Sequence, residues 1–231
     1  MAFLDKTMLR VGLTGGLGSG KTTVGEILRS LGAHVISADA LGRELMTPGH
    51  DVYDRIVHHF GPSVVQPDGS LNRPLLADLA FRHNRLAELN QIVHPAVIAA
   101  QQKWANDLFA RDPRAIAIVE SALIFEADQQ GSAPRWRQRF DRIILVTAPV
   151  ETRIARYVER MSQLPGAPPR HQIEADARRR IAAQIPDTEK VPLADYVINN
   201  DGPIEATRAQ VERIHTWLVR LSSQSATGSQ A

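Results

Sequence analysis

The chain of 231 residues predicts an α/β fold, a doubly wound parallel sheet of five strands carrying helical insertions, from three observations. Short, continuously apolar runs alternate with helical patterns over nearly the whole length, as in parallel strands covered on both faces. The first run ends in a glycine cluster that opens directly into a helix. The later runs end on polar or acidic residues, at the strand ends where doubly wound sheets bind their ligands.

The elements follow in order. "LRVGLT" (Leu9 to Thr14) is the first strand, and "KTTVGEILRSLG" places Val24, Ile27, Leu28 and Leu31 at helical spacing with Gly32 as the stop. "AHVISAD" (Ala33 to Asp39) is a second strand ending on a carboxylate, and "AIAIVES", "RIILVTA" and "YVINN" are the third, fourth and fifth. Residues 41–112 read as a helical subdomain over the sheet, punctuated by Gly, Pro and Asn. Residues 150–186 are rich in arginine, with "QLPGAPPR" between two helical stretches, and read as a hinged lid. Residues 1–40, 113–149 and 187–221 then form the core, and the small, polar stretch 222–231 is expected to be a disordered tail.

Composition narrows the function. A hydrophobic content of 43% fits a soluble globular protein, and the absence of cysteine rules out disulfides, thiolate catalysis and Cys-ligated metals. Lys and Arg number 27 against 25 Asp and Glu, a net charge of +2 that is no basis for nucleic-acid binding. No apolar run approaches the roughly 20 residues that span a bilayer, and the first ten residues are too short and charged for a signal-peptide core. A soluble, cytoplasmic protein with no membrane or nucleic-acid partner is expected; the oligomeric state is not legible.

The glycine cluster carries the chemistry. Gly15, Gly16, Leu17, Gly18, Ser19, Gly20, Lys21 and Thr22 fit G-x-x-x-x-G-K-[ST] between a strand and a helix, the context that a phosphate-binding P-loop requires. Backbone N–H groups and the helix N-terminus attract phosphate, Lys21 is expected to reach the β and γ phosphates of ATP, and the Thr22 hydroxyl to ligate Mg²⁺. Asp39, just past the second strand, is the candidate general base for an attacking hydroxyl. As an N-cap for "ALGRELM" it would serve the helix as well. Arg43, one helical turn on, either binds an anion or pairs with Asp39. Glu120, ending the third strand, sits where P-loop proteins hold Mg²⁺ directly or through water, or is a charged strand terminus.

The order of "GLTGGLGSGKTTV", "ISADALGREL", "LNQIVHPAV", "ESALIFEA", "RIAAQIP" and "ADYVINNDG" between Leu9 and Gly202 resembles the dephospho-CoA kinase family. The resemblance implies ATP-dependent phosphorylation of the ribose 3′-hydroxyl of dephospho-CoA. It makes Asp39 the catalytic aspartate and Arg180 a lid arginine that meets the phosphates of ATP, with Arg156 and Arg160 at further lid positions. It puts His94, of "HP", beside dephospho-CoA, although Pro95 reads equally as the first residue of a new helix. Asn200, Asp201 and Gly202 match a contact with adenine, or form a plain turn. Glu126, of "LIFE", is either part of this pattern or a capping or salt-bridging carboxylate.

Departures from the family pattern are Ser37 and Glu120 at frequent aspartates, Ser121 and Ala122 at a Val-Pro pair, Arg153 at a frequent glutamine, and the long, Pro-rich lid turn. They bear on Mg²⁺ geometry and lid opening rather than on the reaction class. A nucleoside or nucleoside-monophosphate kinase would share these features apart from the acceptor pocket. A nucleotide switch is disfavoured, because no D-x-x-G directly follows the third strand and no N-K-x-D is present.

Overall fold

The structure, a computed structural model, describes residues 8–129, 131 and 135–224. Strands β1 (Leu9–Thr14), β2 (His34–Ser37), β3 (Ile116–Glu120), β4 (Arg142–Thr147) and β5 (Tyr196–Asn199) form one parallel sheet in the order β2-β3-β1-β4-β5. Every residue of β3 is buried, which is why its sequence is a continuous apolar run rather than an alternation. Residues of opposite parity serve opposite faces. Ile116 and Ile118 pack with Val11 and Leu13 under helix α1 (Lys21–Ser30) and the last helix, α11 (Ile204–Gln224), through Leu28 and Leu218. Val119 and Ile143 pack on the other face against the short helices α6 (Ile124–Gln129) and α7 (Trp136–Arg139).

The region after β2 differs in detail from its reading. Helix α2 (Ala38–Leu45) starts inside the "AHVISAD" run, with Ser37 as its N-cap, accepting from the Ala40 N–H at 3.3 Å. Asp39 is therefore in the first helical turn and does not cap the helix. Helices α3 (Asp51–Phe60), α4 (Arg73–Phe81) and α5 (Leu86–Arg111) complete the region, around a core of its own that includes Val52, Ile56, Leu76 and Ile92. Pro95 does not start a helix; it lies inside the 26 residues of α5. An internal proline costs about 3 kcal/mol, and packing at both ends of α5 offsets that cost. Its first half joins the helical core through Ile92, and its second half lies on the sheet, where Leu108 and Phe109 meet Ala115 and Ala117.

Helices α8 (Val150–Ser162) and α9 (Arg170–Ala182) form a hairpin with a separate apolar seam of Ile154, Tyr157, Val158, Ile173 and Ala177. The chain returns through α10 (Asp187–Lys190) to β5. At the far end, α11 runs to Gln224, so Ser222, Ser223 and Gln224 belong to the helix rather than to a tail; residues 225–231 of the expected tail lie outside the described residues.

One buried ion pair joins α6 to α10. Lys190 Nζ is 2.7 Å from Glu126 Oε1, with side-chain exposures of 0% and 8%, and the same oxygen accepts the Ile185 N–H at 3.3 Å. Glu126 is thus a structural carboxylate that ties the exit of the hairpin to the sheet. Removing one member of a buried pair strands the other charge. Lys190→Met is expected to cost about 3–5 kcal/mol in urea unfolding. Adding Glu126→Gln, which keeps an acceptor for Ile185, is expected to recover most of that loss; an equal loss in the double variant would show that Lys190 does not act through Glu126.

Candidate active site

Beyond Thr14 the chain turns at the carboxyl end of the central strand and enters α1 at Lys21. Gly20 has φ of 93°, and a Cβ there would fall 1.9 Å from Asn200 Nδ2. Only glycine fits this position. Asn200 itself is 6% exposed, donates to the Ser19 carbonyl at 2.8 Å and accepts from Thr207 Oγ1 at 2.7 Å. One end of its amide thus braces the loop and the other is held by α11, a structural role beside the expected contact with adenine.

Leu17 is held by its backbone. Its N–H donates to Gln184 Oε1 at 2.9 Å, and its carbonyl accepts from Arg153 Nε at 2.9 Å. Arg153 also reaches Asp187 at 3.2 Å and Gln184 at 3.4 Å, and a Cβ on Gly16 would fall 1.8 Å from its Nη2. The Leu17 side chain packs on the seam of the α8–α9 hairpin. Leu17 therefore ties the loop to the hairpin, and its N–H is engaged by Gln184 rather than turned to phosphate.

Lys21 arches over the cradle and donates to the Gly15 and Gly16 carbonyls at 2.9 and 3.1 Å. Burial pushes its pKa down to about 8, opposed by the nearby charges of Glu120 and Asp39. The topology explains the meeting of these groups. In the sheet register Glu120 stands between Leu13 of β1 and Ser37 of β2, so the loop and Asp39 flank it.

Thr22 Oγ1 donates to Glu120 Oε1 at 2.9 Å, and Glu120 is 8% exposed. A hydroxyl and a buried carboxylate at one point fit Mg²⁺, which takes few protein oxygens and completes its shell with phosphates and water. Among the described residues no group of three or more His, Asp or Glu could cage a metal alone.

A cavity of about 420 Å³ opens beside Asp39, between α2, α5 and α6. Asp39 is the one carboxylate in its wall, and Arg43 and His94 line it too, so three of the expected acceptor-side residues come together. Burial, with the Arg139 charge nearby, lowers the His94 pKa. Arg43 and Asp39 form no ion pair; the Arg43 carbonyl accepts instead from Arg73, at 3.4 Å.

The three hairpin arginines lie in different surroundings. Arg180 pairs with Asp176 at 2.7 Å on the hairpin, with 58% of its side chain exposed, and sits over the Tyr157 ring. Arg160 is exposed beside the same ring. Arg156 is the one that faces the cradle. Its Nη1 is buried without a hydrogen-bond partner, 3.9 Å from where a Gly20 Cβ would lie. Arg153, Gln184 and Arg73 were not anticipated as site residues. Arg153 alone left a signal, a charge on the apolar stripe of α8 one turn before Tyr157.

The Lys21 environment fixes a pH dependence. A protonated ammonium is needed to hold phosphate, and its pKa in the free protein is about 8. ATP affinity is expected to be flat between about pH 7 and that value and to fall above it, with binding then taking up a proton. Titration calorimetry across this range checks it. Lys21→Arg, charged past about pH 12, should abolish the falling limb.

Comparison with known proteins identifies the family. The dephospho-CoA kinase family model matches residues 9–206. The dephospho-CoA kinase of Moorella thermoacetica is 40% identical over 205 residues, covering 88% of this chain and 89% of the relative. That of Aquifex aeolicus is 35% identical over 214 residues, covering 92% and 99%. The crystal structure of TT1252 from Thermus thermophilus aligns with a TM-score of 0.69 at 29% identity, over 91% of this chain and 97% of that one. Dephospho-CoA kinase from Campylobacter jejuni shares the fold, with a TM-score of 0.64 at 22% identity over the same shares. With a family model that spans cradle, cavity and hairpin, and relatives matched along almost their whole length, the chain belongs to the dephospho-CoA kinase family.

Proposed function

We propose that the protein transfers the γ-phosphoryl group of ATP to the ribose 3′-hydroxyl of dephospho-CoA, giving coenzyme A and ADP. The observation that carries this reading is the position of Asp39, in the wall of the acceptor cavity and close enough to Lys21 to stabilise its charge. The P-loop holds the ATP phosphates, and the cavity holds the acceptor with its hydroxyl at Asp39. The 3′-oxygen bonds to the γ phosphorus as the bond from that phosphorus to the bridging oxygen of ADP breaks, and the hydroxyl proton passes to Asp39. Lys21 and Arg156 hold the charge that spreads over the γ-phosphate oxygens. Bound Mg²⁺ supplies further charge neutralisation there, and Thr22 and Glu120 are the residues to hold it.

The α8–α9 hairpin acts as the lid, excluding water so that the acceptor hydroxyl is the nucleophile. A cytoplasmic setting belongs to the same proposal, in keeping with a chain that has no cysteine.

The test is ADP release with dephospho-CoA, AMP, adenosine or no acceptor, with the product weighed by mass spectrometry. One added phosphate on dephospho-CoA supports the reading; ADP release indifferent to the acceptor would sink it. Asp39→Asn is expected to lower kcat by about a hundredfold or more with ATP affinity kept, and wild-type turnover would remove Asp39 from the mechanism. Arg156→Ala should lower kcat by about 10²–10³, and Arg180→Ala by much less. The reverse order would mean that Arg180 leaves Asp176 for the phosphates on closure.

A further inference from the structure

The acceptor cavity also reaches Arg139, the last residue of α7. Its Nε and Nη2 are both buried without a hydrogen-bond partner. Buried charged donors left unpaired are rare, because each forfeits its hydration with nothing in return. The surroundings do not relieve it. Phe140 lies under the guanidinium at 5.0 Å and offers a ring face but no acceptor, Asp128 acts on it only through space, and His94 lies near enough for its positive form to be repelled. Arg43 and Arg73 line the same cavity, so three arginines border a space whose one carboxylate is Asp39 and whose remaining wall is mostly apolar, including Val93, Val97 and Ile124, with Gln101 and Ser121 as neutral polar groups. This is a pocket for an acceptor that joins apolar surface to an anion.

Resting on the functional reading above, we infer that Arg139 binds the 5′-diphosphate of dephospho-CoA and is the residue by which the enzyme prefers a diphosphate-bearing acceptor to a bare nucleoside. The diphosphate is the anionic part of that molecule; its adenosine and its pantetheine arm carry no charge. A guanidinium with two free nitrogens in a dry wall matches two phosphate oxygens at once.

Arg139→Gln and Arg139→Lys test this on the full chain. The glutamine variant is expected to raise the KM for dephospho-CoA by about 10- to 100-fold, the loss of one charge-assisted interaction, with the KM for ATP unchanged. The lysine variant is expected to fall between it and the wild type. Inhibition by adenosine, competing with dephospho-CoA but lacking the diphosphate, should be the same in all three proteins. The melting temperature of the glutamine variant should not fall, since an unpaired buried charge has been removed. An unchanged KM for dephospho-CoA, or adenosine inhibition weakened by the same factor, would overturn the assignment and make Arg139 a shaper of the cavity. A wild-type protein that does not phosphorylate dephospho-CoA would overturn the functional reading itself and this inference with it, before any variant is made.

Discussion

The buried Arg153 guanidinium is the contact on which the shape of the nucleotide site depends. It is 4% exposed and joins three separate parts of the chain: the Leu17 carbonyl of the P-loop, Gln184 at the end of α9, and Asp187 in α10. Gln184 takes the N–H of the same peptide, so Leu17 is held at both of its polar backbone atoms. The roots of the α8–α9 hairpin and the phosphate cradle are thus one rigid piece. Motion of the hairpin has to arise further out, around the Gly- and Pro-containing turn at 163–169, or else break this network. Gly16 follows from the same contact, since any side chain there would displace the guanidinium.

Around this anchor the charges are set against one another. Lys21 is buried, with Glu120 and Asp39 supporting its charge and Lys190 and Arg153 opposing it. The two carboxylates are those to which the metal and the hydroxyl proton are assigned, and the two cations are bound up in structural contacts. Lys190, fixed by Glu126, and Arg153, fixed by Asp187, add a positive field behind the cradle without occupying it. Binding of a polyphosphate is favoured by groups that never touch it.

The sheet and the cradle were legible because local rules act alone there. The runs of β1, β3 and β4 are buried on both faces, those of β2 and β5 are short edge strands, and the glycine motif sits between a strand and a helix. Side-chain roles were less legible where tertiary packing chooses among equivalents. Nothing in the spacing tells Arg156 from Arg180 on the two helices of the hairpin; tertiary contacts with the Tyr157 ring and Asp176 engage the second. Pro95 marked a helix break by a sound local argument, and α5 runs through it because it is gripped by two cores. Arg139 left no trace in the sequence, as its burial arises from α5 and α6 meeting beside it.

The position of β1 in the middle of the sheet also governs how the chain can assemble. Its neighbours are β3 and β4, with Leu9 registered against Ile116 and Val11 against Arg142. As synthesis runs from the N-terminus, the strand that carries the cradle emerges first and stays unpaired while more than a hundred residues follow. The helices of the intervening region meet inside their own local core and can settle early, whereas closure of the sheet brings together distant segments and is slow. The nascent chain therefore exposes its central strand longest, and the interval before β3 arrives is where misassembly and chaperone capture compete with folding.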